Sequence, residues 1–153
     1  MARSRNRSPA RELRDSEDAT AIAINPAGLV DVGQQFNGSV TFFSPFPQYT
    51  GIGTGFITPG EVSSNHNFFP VPTLAYSQPL DGDSAVGIAV YGNGGLDTSY
   101  DIFNPNTKSQ GVFGTGVTGV DLIQTFISVG NARRFGNVSV GVAPFVVVQR
   151  FTA

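Results

Sequence analysis

What most constrains this chain is a residue pattern of period two, restarted several times along the sequence. In Asn137–Phe151, NVSVGVAPFVVVQRF, the residues Val138, Val140, Val142, Val146 and Val148 share one face. Ser139, Gly141, Ala143 and Gln149 take the other, with Phe145 and Val147. Phe36–Phe43, FNGSVTFF, sets Phe36, Gly38, Val40 and Phe42 against Asn37, Ser39 and Thr41. Ser84–Leu96 sets Val86, Ile88 and Val90 against Ala85, Gly87, Ala89 and Tyr91. Strict alternation is the signature of a strand with two different faces. Phe69–Ser77 and Val117–Gly130 are also rich in β-formers, although Pro70 and Pro72 do not suit an ordinary central strand. No stretch reads as a helix longer than a turn. The expected fold is all-β with five strands.

The connections between these strands sort by length. A long Gly/Pro/Ser-rich loop, Ser44–Asn67, follows the first strand, and the tight QPLDGD, Gln78–Asp83, follows the second. Asp97–Gly116 is long again, and NARRFG, Asn131–Gly136, is short. In an antiparallel up-and-down meander this order puts all the long loops at one end. Transmembrane β-barrels show that arrangement, and their tilted strands need about ten residues to cross a bilayer.

Charge points the same way. Nine of the twenty charged residues fall in Met1–Asp18, which leaves eleven over the 135 positions of Ala19–Ala153. A surface facing water normally carries far more. Met1–Asp18 itself reads as a disordered charged tail. Its Arg-rich start leads into polar and acidic residues instead of an apolar stretch, so no secretory signal is read there. Sparse Lys and Arg and a net charge of -2 argue against nucleic acid as a partner. The absence of cysteine removes disulfides and thiolate metal sites. No apolar run approaches the roughly eighteen residues of a membrane helix.

Inside the apolar stretch AIAINPAGLVDVG, Ala21–Gly33, the chain sets a strong turn signal. Asn25 is the expected N-cap, its side-chain oxygen accepting from a free N–H of the first turn. Pro26 at the first helical position loses nothing. Ala27, Gly28, Leu29 and Val30 then make one turn before Gly33 releases the chain into the first strand. The result is a compact knot of backbone that satisfies its own polar groups and can sit inside a barrel.

These residues resemble a known family, the FadL/TodX type of outer-membrane transporters for long-chain fatty acids and aromatic hydrocarbons. DATAIAINPAGL, Asp18–Leu29, is similar to its plug segment. FPVPTLAYSQPL, Phe69–Leu80, is similar to its second strand and turn. Gly87 with Asn93, Gly95 and Leu96 fits the end of the third strand, and SVGVAPFVVVQRFTA, Ser139–Ala153, the fifth. The resemblance runs from about Asp18 to the last residue. It implies a fourteen-stranded barrel in the bacterial outer membrane, with residues 19–33 as plug and 34–153 as the first strands. Asn25, Pro26, Ala27, Gly28 and Leu29 would then serve in gating. A bend in the third strand near Asp83–Gly87, hinged at Gly87, would open a lateral exit. Its partners would be hydrophobic small molecules and outer-membrane lipid. Five strands close no barrel, since the smallest have eight, so the expectation is a fragment, one that lacks the loop after the fifth strand that builds much of the family's ligand groove.

Other signals carry less. GIGTG (Gly51–Gly55) and GNGG (Gly92–Gly95) do not run from a strand into a helix, as a phosphate cradle requires. His66, the single histidine, has no acidic neighbour in SSNHN and reads as a loop residue. Asp81 and Asp83 read as turn formers before calcium ligands. With one His, no Cys and no Gly-x-Ser-x-Gly, no nucleophile–base pair is in view, so no enzyme, metal or cofactor is expected. Phe46, Phe56, Phe68, Phe103 and Phe113 read either as a greasy docking surface for alkyl chains or as loop packing and an interfacial girdle. The alternative to a transporter is a soluble or secreted β-sandwich binding or structural module, which would seldom dispense with charge so thoroughly.

Overall fold

The computed structural model describes residues 18–52 and 55–153. Apart from Asp18, the charged tail expected to be disordered lies outside them. A 3₁₀ turn, Ala19–Ala23, comes first, then a second, Pro26–Gly28, which runs into the single-turn helix α1, Leu29–Val32. Ten strands follow: β1 (Gln35–Phe43), β2 (Gln48–Gly51), β3 (Gly60–Ser63), β4 (Phe69–Pro79), β5 (Ser84–Tyr100), β6 (Phe103–Asn104), β7 (Ser109–Gln110), β8 (Thr118–Phe135), β9 (Val138–Val142) and β10 (Phe145–Thr152). The main sheet has the order β1-β4-β5-β8-β10, with β9 alongside β8; β2–β3 and β6–β7 form separate pairs. The fold is all-β and mostly antiparallel. No helix among the described residues is long and apolar enough to cross a membrane, which says nothing of strands.

The five long strands expected from alternation and β-forming composition are present, with three differences. First, the long loops are not bare. Ser44–Asn67 contains the hairpin β2–β3, in register from Gln48↔Ser63 to Gly51↔Gly60. β5 runs on to Tyr100, and the remainder of the second loop holds the short pair Phe103↔Gln110 and Asn104↔Ser109. Second, NARRF is strand. Its register with β9 runs from Asn131↔Val142 to Phe135↔Val138, so the turn shrinks to Gly136 and Asn137. Gly136 takes φ 60 while Asn137 stays at negative φ, the pattern a two-residue type II′ hairpin asks for. Third, the last strand breaks at Ala143-Pro144. Proline has no N–H to give the ladder, but its carbonyl still accepts from the Val129 N–H at 3.1 Å.

The chain divides into two compact units. The first takes the described residues up to Ser39, with Pro72–Tyr91 and Phe126–Val147, and contains both short turns. The second takes Val40–Val71, Gly92–Thr125 and Val148–Ala153, and contains both long connections.

The first unit has its core on an unusual side. Ala75, Ala85, Ala89 and Ala132 are buried under Ala19, Ile22 and Leu29 of the N-terminal segment. The β4–β5 register, Thr73↔Tyr91 to Pro79↔Ala85, puts Ala75, Ser77, Ala85, Gly87 and Ala89 on this inner face. The alternate positions carry the bulk, and they are exposed: Leu74, Ile88 (44%), Val129, Val138, Val140 (53%) and Val142. Beneath the segment small residues line the packed face, with Tyr91, Phe126 and Phe145 packed on one another further along it, and large apolar residues stand on the bare face, the reverse of a sheet that packs its large side chains inward.

The second unit is organised by its loops. Asn104, Thr58, Ser64, Val62 and Val112 are buried there, and Tyr49 meets Tyr100 edge-on at 5.2 Å between ring centroids.

Candidate functional site

The site follows from how the N-terminal segment is made and seated. Asp18, extended at φ -152, accepts the Thr20 N–H on its side chain at 2.8 Å and so caps the first 3₁₀ turn. Asn25 does not act as the expected cap. It is exposed, and its side chain makes no capping bond. The reason is local: its carbonyl already takes the Gly28 N–H at 3.0 Å, and its own N–H reaches the Ala21 carbonyl at 2.7 Å. Pro26 has no N–H to offer, so little remains for the side chain to satisfy. Pro26 does stand at the start of its turn, and Gly33, at φ 77, ends α1.

Shape holds the segment down first. Leu29 and Ile22 are 0% and 2% exposed, and each contributes about 1.5–3 kcal/mol on burial. They fit because the sheet beneath is Ala and Gly. At Gly141 the fit reaches the main chain: a Cβ there would lie 2.3 Å from the Ala27 nitrogen and 2.4 Å from the Pro26 carbonyl carbon. Only glycine lets the Pro26-Ala27 backbone come that close. Three polar ties add direction. The Ala19 N–H donates to Asn37 Oδ1 at 3.1 Å, Ser77 Oγ donates to the Gly33 carbonyl at 2.6 Å, and the Arg134 guanidinium on β8 pairs with Asp31 on α1.

Of the gating residues expected from sequence, Pro26, Ala27, Gly28 and Leu29 all sit at this contact, and Asn25 borders it. Gly87 is there as well. It pairs with Ser77 inside the regular β4–β5 ladder, and its φ is not positive. Its glycine answers to crowding, since a Cβ would lie 2.9 Å from the Tyr76 carbonyl oxygen and 3.3 Å from Leu29 Cδ2.

All five expected ligand-contact phenylalanines are exposed and belong to the second unit. Phe68 stacks on Phe42 at 5.5 Å. Among the described residues no ring pair joins any two of the five.

Sequence reasoning missed three partnerships, all long-range. His66 Nδ1 lies 2.8 Å from Asp97 Oδ1, so the acidic neighbour absent from SSNHN comes from β5. Asp31 and Arg134 are 103 residues apart. Asn104, wholly buried, donates to the carbonyls of Phe56 (2.8 Å) and Val112 (2.9 Å) and accepts from the Asn106 N–H at 2.9 Å. One signal was legible, because Asp31 is the single charged residue between Ala19 and Gly60, and an isolated charge in an apolar segment calls for a partner. Asp81 and Asp83 do form a turn, with the Asp83 N–H on Asp81 Oδ1 at 2.8 Å. The hydrogen bond from the Ser84 side chain, then that from the Asp83 backbone, holds the Asp81 carboxyl below its ordinary value.

Compared with known proteins, the chain matches no family model and no curated protein.

Proposed function

We propose that this chain works in a bacterial outer membrane as part of a plugged β-barrel of the FadL/TodX type that takes up hydrophobic compounds such as long-chain fatty acids. One observation carries the reading: the sheet of the first unit is inside out. Val138, Val140, Val142, Ile88 and Leu74 lie on its exposed face, and a compact segment covers its Ala/Gly face. Burying such a face against hydrocarbon gains about 25 cal/mol per Å², and strands whose backbone groups pair within the sheet tolerate that surround. The seated segment then acts as the plug. No bond need form or break in the cargo. An apolar molecule leaves water for an apolar passage, and displacement of the segment clears its way. A β-sandwich module would need a second sheet over the apolar face, and that face is exposed.

The test is to refold the full chain from urea in the presence of phospholipid vesicles, then float the vesicles and measure transfer of a fluorescent long-chain fatty acid into them. Co-flotation with β-structure and faster transfer than in protein-free vesicles is the expected result. A folded monomer left behind in the buffer would overturn the membrane reading and favour the sandwich module.

A further inference from the structure

We infer that the Asp31–Arg134 ion pair is an electrostatic latch that positions the N-terminal segment and sets how readily it leaves the sheet. The inference rests on the transport reading only for the purpose of the latch; the latch itself stands on geometry. Charge is scarce here. Asp31 is the one charged residue of Ala19–Val32, and Arg134 is one of only four basic residues in Ala19–Ala153. That these two meet across the segment–sheet contact is not explained by a crowded charged surface.

The anchor end is fixed. Arg134 stands in the β8–β9 ladder opposite Ser139, and its N–H donates to the Asp83 carbonyl at 2.7 Å. The moving end is short, since α1 has four residues and Gly33 follows as a swivel at φ 77. Both side chains stay part-exposed, at 32% for Arg134 and 43% for Asp31. Water can therefore solvate either partner once the pair parts, so opening strands no buried charge. The remaining ties are apolar contacts and neutral hydrogen bonds, which salt scarcely touches. The pair is what makes seating of the segment sensitive to ionic strength.

The chain has no cysteine, so Ala19→Cys supplies a single thiol at a position that is 0% exposed while the segment is seated. In the full chain folded in detergent micelles, the rate at which a hydrophilic maleimide labels this thiol reports lifting of the segment. Asp31→Asn and Arg134→Gln should each raise the rate about three- to fivefold, the scale of a part-exposed ion pair. Molar salt should raise the rate in the chain with the native pair and leave both variants unchanged. The swap Asp31→Arg with Arg134→Asp should restore slow labelling. A purely packing role for these side chains predicts no salt effect and no rescue, and either of those results overturns the latch. So does an unchanged rate in both single variants. Labelling needs no cargo, so a failure here is distinct from a failure of fatty-acid transfer.

Discussion

The N-terminal segment and the loop cluster around Asn104 are both irregular chain folded against strands, yet opposite means hold them. Under the segment, Leu29 and Ile22 fit an Ala/Gly bed, with a few polar ties, one of them from the buried Ser77 hydroxyl. In the loop cluster one buried amide binds the Phe56 and Val112 carbonyls and the Asn106 amide, and the Thr58 N–H joins on the Val112 carbonyl at 3.1 Å. The difference matters for movement. A segment seated mainly by shape breaks only a few hydrogen bonds when it lifts, those of Ala19 and Ser77. A loop stitched by a buried amide cannot lift so readily, because each orphaned group costs about 1–3 kcal/mol. The plug reading therefore predicts that the segment is the more easily removed of the two.

Breaking the shape fit should have the largest effect. Gly141→Val drives carbon into the Pro26-Ala27 backbone and should unseat the segment at a cost of about 3 kcal/mol or more. Fast maleimide labelling of Ala19→Cys in that background checks it; slow labelling would mean that the contact at Gly141 does not govern seating. Next comes Asn104→Ala, expected to loosen the loop cluster by about 2 kcal/mol, seen as lost hydrogen-exchange protection at Asn106 and Thr58 with the segment unaffected. If the segment loosened too, the contrast between the two regions would fail.

The two capping positions sharpen the comparison on a smaller scale. Asp18→Ala removes the one side-chain cap of the segment and should cost about 1 kcal/mol. Asn25→Ala, at the more conspicuous motif, should cost less than about 0.5 kcal/mol because its side chain caps nothing. Thermal melts in micelles rank the two, and the reverse order would contradict the local geometry. The smallest effect belongs to the Asp81 turn. Its carboxyl titrates below the ordinary 3.8 when folded, so its contribution is complete above that value and is lost as pH falls through the lowered one. Chemical-shift titration of Ser84 should show this transition, and Asp81→Asn should abolish it.

Much of this was legible in the sequence. Alternation located three of the five long strands and β-forming composition the other two, because a face of Val and Ile opposite a face of Ala and Gly leaves a period-two trace whichever side is packed. Which side is packed was not legible: Ala85, Gly87 and Ala89 read as filler until Ile22 and Leu29 are found on top of them. The turn at Asn25-Pro26 was visible, but the motif also pointed to the wrong cap, since the Gly28 N–H that a capping side chain would accept already goes to the Asn25 carbonyl. The end of β8 was misplaced because NARRFG looks like a polar turn, while Asn131 and Arg133 are outward positions on a strand that continues to Phe135. Pairings such as His66 with Asp97 and Asp31 with Arg134 depend on the meander bringing distant strands together, and no local spacing encodes them.

The central claim is that the large apolar face meets lipid. It is tested most directly with one fluorophore on Ile88→Cys and, in a second protein, on Tyr91→Cys, three residues on and on the opposite face. Each is reconstituted in vesicles and quenched either by a lipid-borne nitroxide or by aqueous iodide. The label at Ile88 should be quenched by the nitroxide and shielded from iodide, and the label at Tyr91 should be spared by the nitroxide. Strong iodide quenching at Ile88, with no response to the lipid quencher, would mean that this face meets water and that the barrel account is wrong.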